Sequence, residues 1–424
     1  MLIQFSVSNY TSIKELVTLS MVAAKRAELR NSNVFTEDKF DLLKSAVLYG
    51  ANASGKSNFI RAILFAKMFI QNSANTQIKD PIMVRSFRLN PAAEKEPSSF
   101  EFIFINNGIR YRYGFAADRA EVKSEWLFYA PKGRETRLFF REKQSIELNA
   151  DFKEGKGLEE KTRNNALFLS VAAQFNGPIA ISILNWFMKC NVISGLEDQS
   201  YMQYTVSQFE KESYKKKILD FLKIADLGIE DLNITKRQFN ANDLEAMPKE
   251  LASIIKAQVK DVLAGSVTEI KTLHKKYDEK NVLMGLEMFG FEFEESEGTR
   301  KIFALSGPII DTLLNGKVLF VDELDSRLHP KIIQYIIELF NSKEHNPNNA
   351  QLIFVSHNTN ILNRRNFRRD QVWFVEKDEY GSSKLFSLIE YKVRNTASFD
   401  KDYLEGKYGA VPVLEDIDLL NGDG

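Results

Sequence analysis

The stretch Gly50 to Ser57, GANASGKS, constrains this chain more than any other. It follows a short apolar run, AVLY at 46–49, and opens SNFIRAILFAKMFIQ. In that run Phe59, Ile60, Ile63, Leu64 and Met68 recur at helical spacing, which predicts a helix. A strand, a glycine-bounded loop and a helix in this order are the context that G-x-x-x-x-G-K-[ST] requires. The glycines let backbone N–H groups converge on phosphate oxygens, and the helix N-terminus adds partial positive charge. Lys56 then reaches the β- and γ-phosphates, and Ser57 offers its hydroxyl to Mg²⁺. Gly50, Asn52, Ser54, Gly55, Lys56, Ser57 and Asn58 are the nucleotide-binding candidates of this segment. The alternative, a chance match in a Gly/Ser-rich turn, is disfavoured by the flanking elements.

A second motif belongs with the first. VLFVDE at 318–323 is four apolar positions followed by two acids, as expected of a buried parallel strand ending at Asp322. Beside a phosphate loop, that carboxylate falls near the metal. Glu323, one residue on, is placed to polarise an attacking water as general base. Beyond it come Asp325 in DELDSRLHP and His357, which follows the apolar run of FVSHN. A histidine at the end of a strand neighbouring the acidic one can reach a γ-phosphate. No N-K-x-D guanine-reading motif stands in a suitable place, so ATP is expected rather than GTP.

Between these motifs lies ESEGTRKIFALSG, 295–307, charged in its first half and apolar in its second. Ser296 is a good N-cap for the helical run RKIFALSGPIIDTLL, and Gly298 leaves that helix N-terminus open to an anion.

The remaining chain reads as mixed α/β with two inserted regions. LIQFSV and LVTLSMVAA are strands around the turn SNYTS. From about 80 to 145 the period is two, and SFEFIFINNGIRYRYGF is a hairpin around Asn107-Gly108. This predicts an antiparallel β-lobe inserted after the first helix. Helical patterns dominate from about 160 to 265, where Lys215 to Lys217 read as a solvated helix face. TEIKTLHKKYD and VLMGLEMFGFEF form a further hairpin, and the C-terminal third alternates strand and helix, as parallel βαβ units do. Three parts follow: 1–160 with the phosphate loop and β-lobe, 161–265 helical, and 266–424 with Ser296, Asp322 and His357.

Composition narrows the class. Lys plus Arg equals Asp plus Glu at 57 each, so net charge announces no nucleic-acid partner, although a local patch could touch one. A single cysteine, Cys190, excludes an intrachain disulfide framework and fits a reducing cytoplasm. With only four histidines beside it, a Cys/His zinc site is not expected. The N-terminus lacks the pattern of a signal peptide, and PIAISILNWFM at 178–188 is too short to span a bilayer. No heptad pattern is sustained, so no long coiled-coil arm is predicted. A soluble cytoplasmic protein is expected.

Together FSVSNYTSIKE, GANASGKSN, ESEGT, VLFVDELDSRLHP and FVSHN resemble the ABC/SMC-like ATPase heads of the RecF and OLD proteins. The likeness is strongest to bacterial AAA family ATPases of abortive-infection type, including the RloA group. NNALFLSVAAQFN at 164–176 and RNTASFDKDYLEGKYGAVPVL at 394–414 look like segments of that group. The resemblance implies a P-loop NTPase head of ABC type that closes as a homodimer, or a larger assembly, around ATP and Mg²⁺. Ser296 and Gly298 would complete the site of the opposite subunit, Asp325 would be the D-loop residue, and His357 the switch histidine. It also implies bacterial antiviral defence with a separately encoded effector such as a nuclease. Related heads often carry an Arg in the turn where this chain has Thr11; Tyr10 there is either an adenine stacker or a core residue. Gln77 and 81–87 are approximate candidates for the Q-loop.

Two other readings compete. A RecF-like, ATP-gated DNA-binding repair protein needs a concave basic surface, and the clusters Lys215 to Lys217 and Lys236-Arg237 would not suffice alone. A transporter ATPase subunit needs a coupling surface for membrane helices, against which the large insertions argue.

Overall fold

The computed structural model describes residues 1–225, 227–238, 266–393 and 397–412. Most of the expected helical stretch after 238, residues 239–265, and the ends of the 394–414 motif lie outside the described residues. The chain divides into two compact units, Met1–Glu197 with Asp311–Gly424, and Asp198–Ile310.

The first unit is built on two sheets. One contains β1 (Leu2–Ser8), β2 (Val17–Ser20) and β6 to β10 (Ser98–Asn106, Ile109–Ala117, Val122–Ala130, Thr136–Glu142, Ser145–Leu148) in the order β10-β9-β8-β7-β6-β1-β2. The expected β-lobe is therefore no separate insert, because β6 pairs antiparallel with β1 and continues its sheet. The strand β6 alternates as its sequence predicts: Phe100, Phe102 and Phe104 are buried while Ser99, Glu101 and Ile103 are half-buried. Asn107 and Gly108 both adopt positive φ, 51° and 74°, which a two-residue hairpin turn of this hand requires. A small hairpin, β3 (Val34–Glu37) and β4 (Phe40–Leu43), precedes the second sheet.

That second sheet has the order β11-β15-β16-β5-β17-β18, from Cys190–Ser194, Val318–Asp322, Gln351–Val355, Ser45–Tyr49, Val372–Lys377 and Ser383–Ser387. All its pairings are parallel except the last, β17 with β18. The helix α1 (Lys56–Asn72) joins the two sheets, with Phe59 against Phe5 and Phe69 against Phe115 at ring separations of 5.5 and 5.4 Å. Gln351 ties them by hydrogen bonds: its side chain accepts Leu2 N–H at 2.6 Å and donates to the carbonyls of Leu2 and Leu43. The alternation of strand and helix is incomplete. Helix α7 (Pro330–Asn341) follows β15, but only short 3₁₀ turns separate β16 from β17.

The boundaries drawn at 160/161 and 265/266 are not where the units divide, and packing explains the difference. Helices α2 (Phe168–Gln174) and α3 (Pro178–Met188) bury Phe168 against Phe139 and Phe187 against Phe102, each 5.0 Å away. Strand β11, inside the stretch read as helical, then pairs with β15. The 164–176 segment is also anchored electrostatically. Glu125, wholly buried, accepts the N–H groups of Phe168 and Leu169 at 2.6 and 2.9 Å and the Tyr113 hydroxyl at 2.9 Å. Burial pushes its carboxyl up, and the adjacent Arg141 guanidinium pulls the other way.

The second unit holds α4 (Gln199–Phe209), α5 (Glu212–Ile224), the antiparallel strands β12 (Ile229–Gln238), β13 (Ser266–Tyr277) and β14 (Leu283–Gly290), and most of α6 (Glu297–Asn315). Pro308 inside α6 has no N–H to give the Ala304 carbonyl, which instead accepts the Thr205 hydroxyl at 2.6 Å. Gly307 allows that approach, since a Cβ there would lie 2.4 Å from Thr205 Oγ1. Lys215 is half-buried, and Lys216 and Lys217 lie exposed on α5, as a solvated face should.

Among the described residues no single helix is long and apolar enough to cross a membrane.

Candidate functional site

The loop between β5 and α1 is shaped by close approaches that only glycine permits. A Cβ on Gly50 would lie 2.2 Å from the Val375 carbonyl oxygen. One on Gly55 would lie 2.1 Å from Ser383 Oγ and 2.8 Å from Ser12 Oγ, and Gly55 also has φ of 111°. Strand β18 holds the loop from behind, Ser383 donating to the Ser54 carbonyl at 2.6 Å. Asn58, in the first turn of α1, donates to Ser12 Oγ at 2.8 Å, while Asn52 is exposed at the tip.

Lys56 is 5% exposed and bonds the carbonyls of Gly50 and Ala51, each at 2.8 Å. Burial holds its ammonium below the ordinary lysine range, against the pull of the Asp322, Glu323 and Asp325 carboxylates. The first-turn N–H groups of α1 have no intrahelical acceptors and are free to bind an anion.

The two motifs meet at Ser57, whose hydroxyl donates to Asp322 Oδ1 at 3.1 Å. Burial pushes the Asp322 carboxyl up; the Ser57 bond lowers it and Glu323 raises it further. A desolvated carboxylate beside a hydroxyl is a hard-oxygen donor set that favours a divalent cation such as Mg²⁺. Ser54 Oγ, buried without a hydrogen-bond partner among the described residues, is a further polar group of this loop. These residues fit a nucleotide phosphate and its metal.

Glu323 follows Asp322 in the left-handed region, φ 56°, an uncommon conformation for a side chain of its size. Its carboxylate makes no hydrogen bond or ion pair among the described residues. Asp325 accepts the His357 N–H at 3.0 Å, and the His357 side chain is exposed. The first unit thus brings together the loop 50–58, Asp322, Glu323, Asp325 and His357. Ser296 and Gly298 lie in the second unit. There Ser296 caps α6, accepting the Thr299 N–H at 3.1 Å, and Gly298 sits in the first helical turn.

Sequence reasoning missed the loop after β11. Ser194 stands opposite Asp322 in register, and Gly195 donates to the Asp322 carbonyl at 2.6 Å. A Cβ on Gly195 would lie 2.0 Å from the Glu323 carbonyl oxygen. The signal was present as NVISG, a β-branched run closed by glycine, but it was hidden between helical stretches. Gln77, the approximate Q-loop candidate, is exposed in a turn held by Asp80. Tyr10 is a core residue, 6% exposed and packed against Phe65 and Phe100. From the C-terminal motif, Tyr403 of α8 (Phe399–Leu404) stacks on Phe374 at 5.3 Å and lies 5.7 Å from Tyr49, directly before the loop.

A glycine loop between a parallel strand and a helix, its serine bonded to an acid at the end of a second parallel strand, defines a P-loop nucleotide-binding protein. The chain belongs to the family described as "AAA domain, putative AbiEii toxin, Type IV TA system", which it matches over residues 45–363. No curated protein matches the sequence significantly. Among solved structures it is similar to an SMC head domain from Thermotoga maritima, at 12% identity and a TM-score of 0.41. The match covers 91% of this chain and 98% of that one, a likeness that leaves the reading to the chain's own site.

Proposed function

We propose that this protein binds and slowly hydrolyses ATP, and that ATP closes two of its heads into a dimer that controls a separate effector, a nuclease, in bacterial anti-phage defence. The single observation that carries the ATPase reading is the Ser57–Asp322 hydrogen bond, which joins two motifs far apart in sequence at one place. Membership of a family described by a toxin of a type IV toxin–antitoxin system supports the defence setting.

Ser57 and Asp322 would hold Mg²⁺, which would supply charge neutralisation at the phosphates. Every other contribution comes from the chain. Lys56 Nζ and the first-turn N–H groups of α1 bind phosphate oxygens as pre-positioned donors, which need no reorganisation as charge develops. Glu323, its carboxylate uncommitted, orients a water and takes up its proton. His357 senses the γ-phosphate, and Ser296 and Gly298 serve the nucleotide of the partner copy. Such a site waits on assembly, so its turnover is slow on this reading.

The test is Glu323→Gln. The variant should bind ATP as the wild type does, fail to hydrolyse it, and accumulate as a dimer in light scattering with ATP and Mg²⁺. Wild-type hydrolysis by this variant would overturn the base assignment; a monomer at saturating ATP would overturn the dimer.

A further inference from the structure

Glu295 lies in the turn that carries the chain from β14 to α6, immediately before Ser296. Its side chain is 8% exposed and points away from the exposed face of that turn. Oε1 accepts the Thr272 hydroxyl at 2.5 Å and meets His274 Nε2 at 2.7 Å, both groups coming from β13. Thr272 is wholly buried, and the Phe289 ring of β14 packs 4.7 Å from the His274 ring. The same turn is closed on either side. Glu294 accepts the Gly290 N–H, and Arg300 donates to the Glu292 carbonyl.

Helix capping does not need this arrangement, because Ser296 Oγ alone satisfies the Thr299 N–H. A carboxylate withdrawn from water is costly unless it is held by donors. Its two donors here fix the main chain one residue before the exposed Ser296.

We propose that Glu295, clamped by His274 and Thr272, is the positioning residue that sets the Ser296–Gly298 turn toward a phosphate held by a second copy of this chain. The inference rests on the dimer reading given above. Glu295 is engaged by Thr272 and His274 and acts only through the turn, while the nucleotide is held by the phosphate loop of the other copy, so the effect appears in turnover and not in nucleotide affinity.

The test uses the full chain. Glu295→Ala should bind ATP with unchanged Kd and lose about a hundredfold in kcat, the scale of a misplaced contact. Glu295→Gln keeps an acceptor and should recover most of the rate. In an equimolar mixture of Glu295→Ala with Glu323→Gln, each mixed dimer has one intact composite site. Hydrolysis should then return to about a quarter of the wild-type value, the statistical share for a two-fold dimer. Should Glu295→Ala not fold, His274→Ala removes the other half of the clamp and is read in the same mixture. Wild-type kcat in both Ala variants overturns the inference. So does failure to complement where Ser296→Arg mixed with Glu323→Gln succeeds, since Glu295 would then serve folding alone. If the Ser296→Arg mixture also fails, the dimer reading falls and takes the inference with it.

Discussion

Asp325 and His357 are joined across two neighbouring strand ends: Asp325 Oδ2 accepts the His357 backbone N–H at 3.0 Å. Asp325 lies beyond β15 and His357 beyond β16, strands that pair in parallel. The other oxygen of Asp325 is buried without a hydrogen-bond partner among the described residues. A single carboxylate therefore fixes where the histidine leaves its strand. Asp325→Ala should leave ATP affinity near that of the wild type and lower kcat by about ten- to a hundredfold, as loss of positioning does. Asp325→Asn keeps an acceptor and should retain more activity. Equal kcat for Ala and wild type in a steady-state assay would mean the bond is incidental.

Gly195 gives a second test. Its N–H bonds the Asp322 carbonyl at 2.6 Å, and its α-carbon faces the Glu323 carbonyl so closely that a methyl group would sit 2.0 Å away. Glu323 is already in the left-handed region and has little freedom to yield. Gly195→Ala should therefore displace Glu323, costing kcat about a hundredfold while Lys56 and Ser57 still bind nucleotide. Isothermal titration with ATP, run beside the hydrolysis assay, separates the two effects. A parallel loss of ATP affinity would show the damage spreading to the phosphate loop.

These two residues mark the line between what the sequence discloses and what it does not. The loop 50–57 is legible because its constraints are local: the glycine spacing and the flanking elements lie within one short stretch. Asp322 is legible for the same reason, standing at the end of an unbroken apolar run. The Gly195 approach depends on β11 pairing with β15, a partner far away in sequence, and no periodicity announces such a pairing for five residues. Likewise the β-lobe's hairpins are clear in FIFINNGIRYRY, but their junction to β1 is a non-local choice. Tyr10 illustrates the converse. Its sequence position suited either adenine stacking or the core, and only the aromatic neighbours Phe65 and Phe100 decide for the core.

Thr205 and Pro308 should be energetically coupled. The Thr205 hydroxyl supplies the hydrogen bond that Pro308 denies the Ala304 carbonyl, and Thr205 is wholly buried. Thr205→Val leaves that carbonyl unsatisfied and should cost about 1–3 kcal/mol in urea unfolding. In a Pro308→Ala background the helix regains its own donor, so the same substitution should cost clearly less. Additive effects in the double-mutant cycle would mean the proline and the threonine act independently.

Lys44 offers a pH test of the first unit. It is 1% exposed, and its ammonium reaches the Ser342 carbonyl at 3.2 Å, just past the end of α7. Burial pushes its pKa down to about 8, and Lys343 adds to the shift. Below that value the residue is charged in both folded and unfolded chains, and the buried charge weakens the fold. Between about 8 and the ordinary 10.5, the unfolded chain keeps a proton that the folded chain has released, so stability attributable to this residue rises with pH. The difference in unfolding free energy between wild type and Lys44→Met should therefore move in favour of the wild type across this window. The shift is bounded at about 3 kcal/mol by the size of the pKa change. Urea unfolding of both proteins near pH 7 and near pH 9.5 measures it. A difference that stays flat between those conditions would mean Lys44 is solvated well enough to keep its proton.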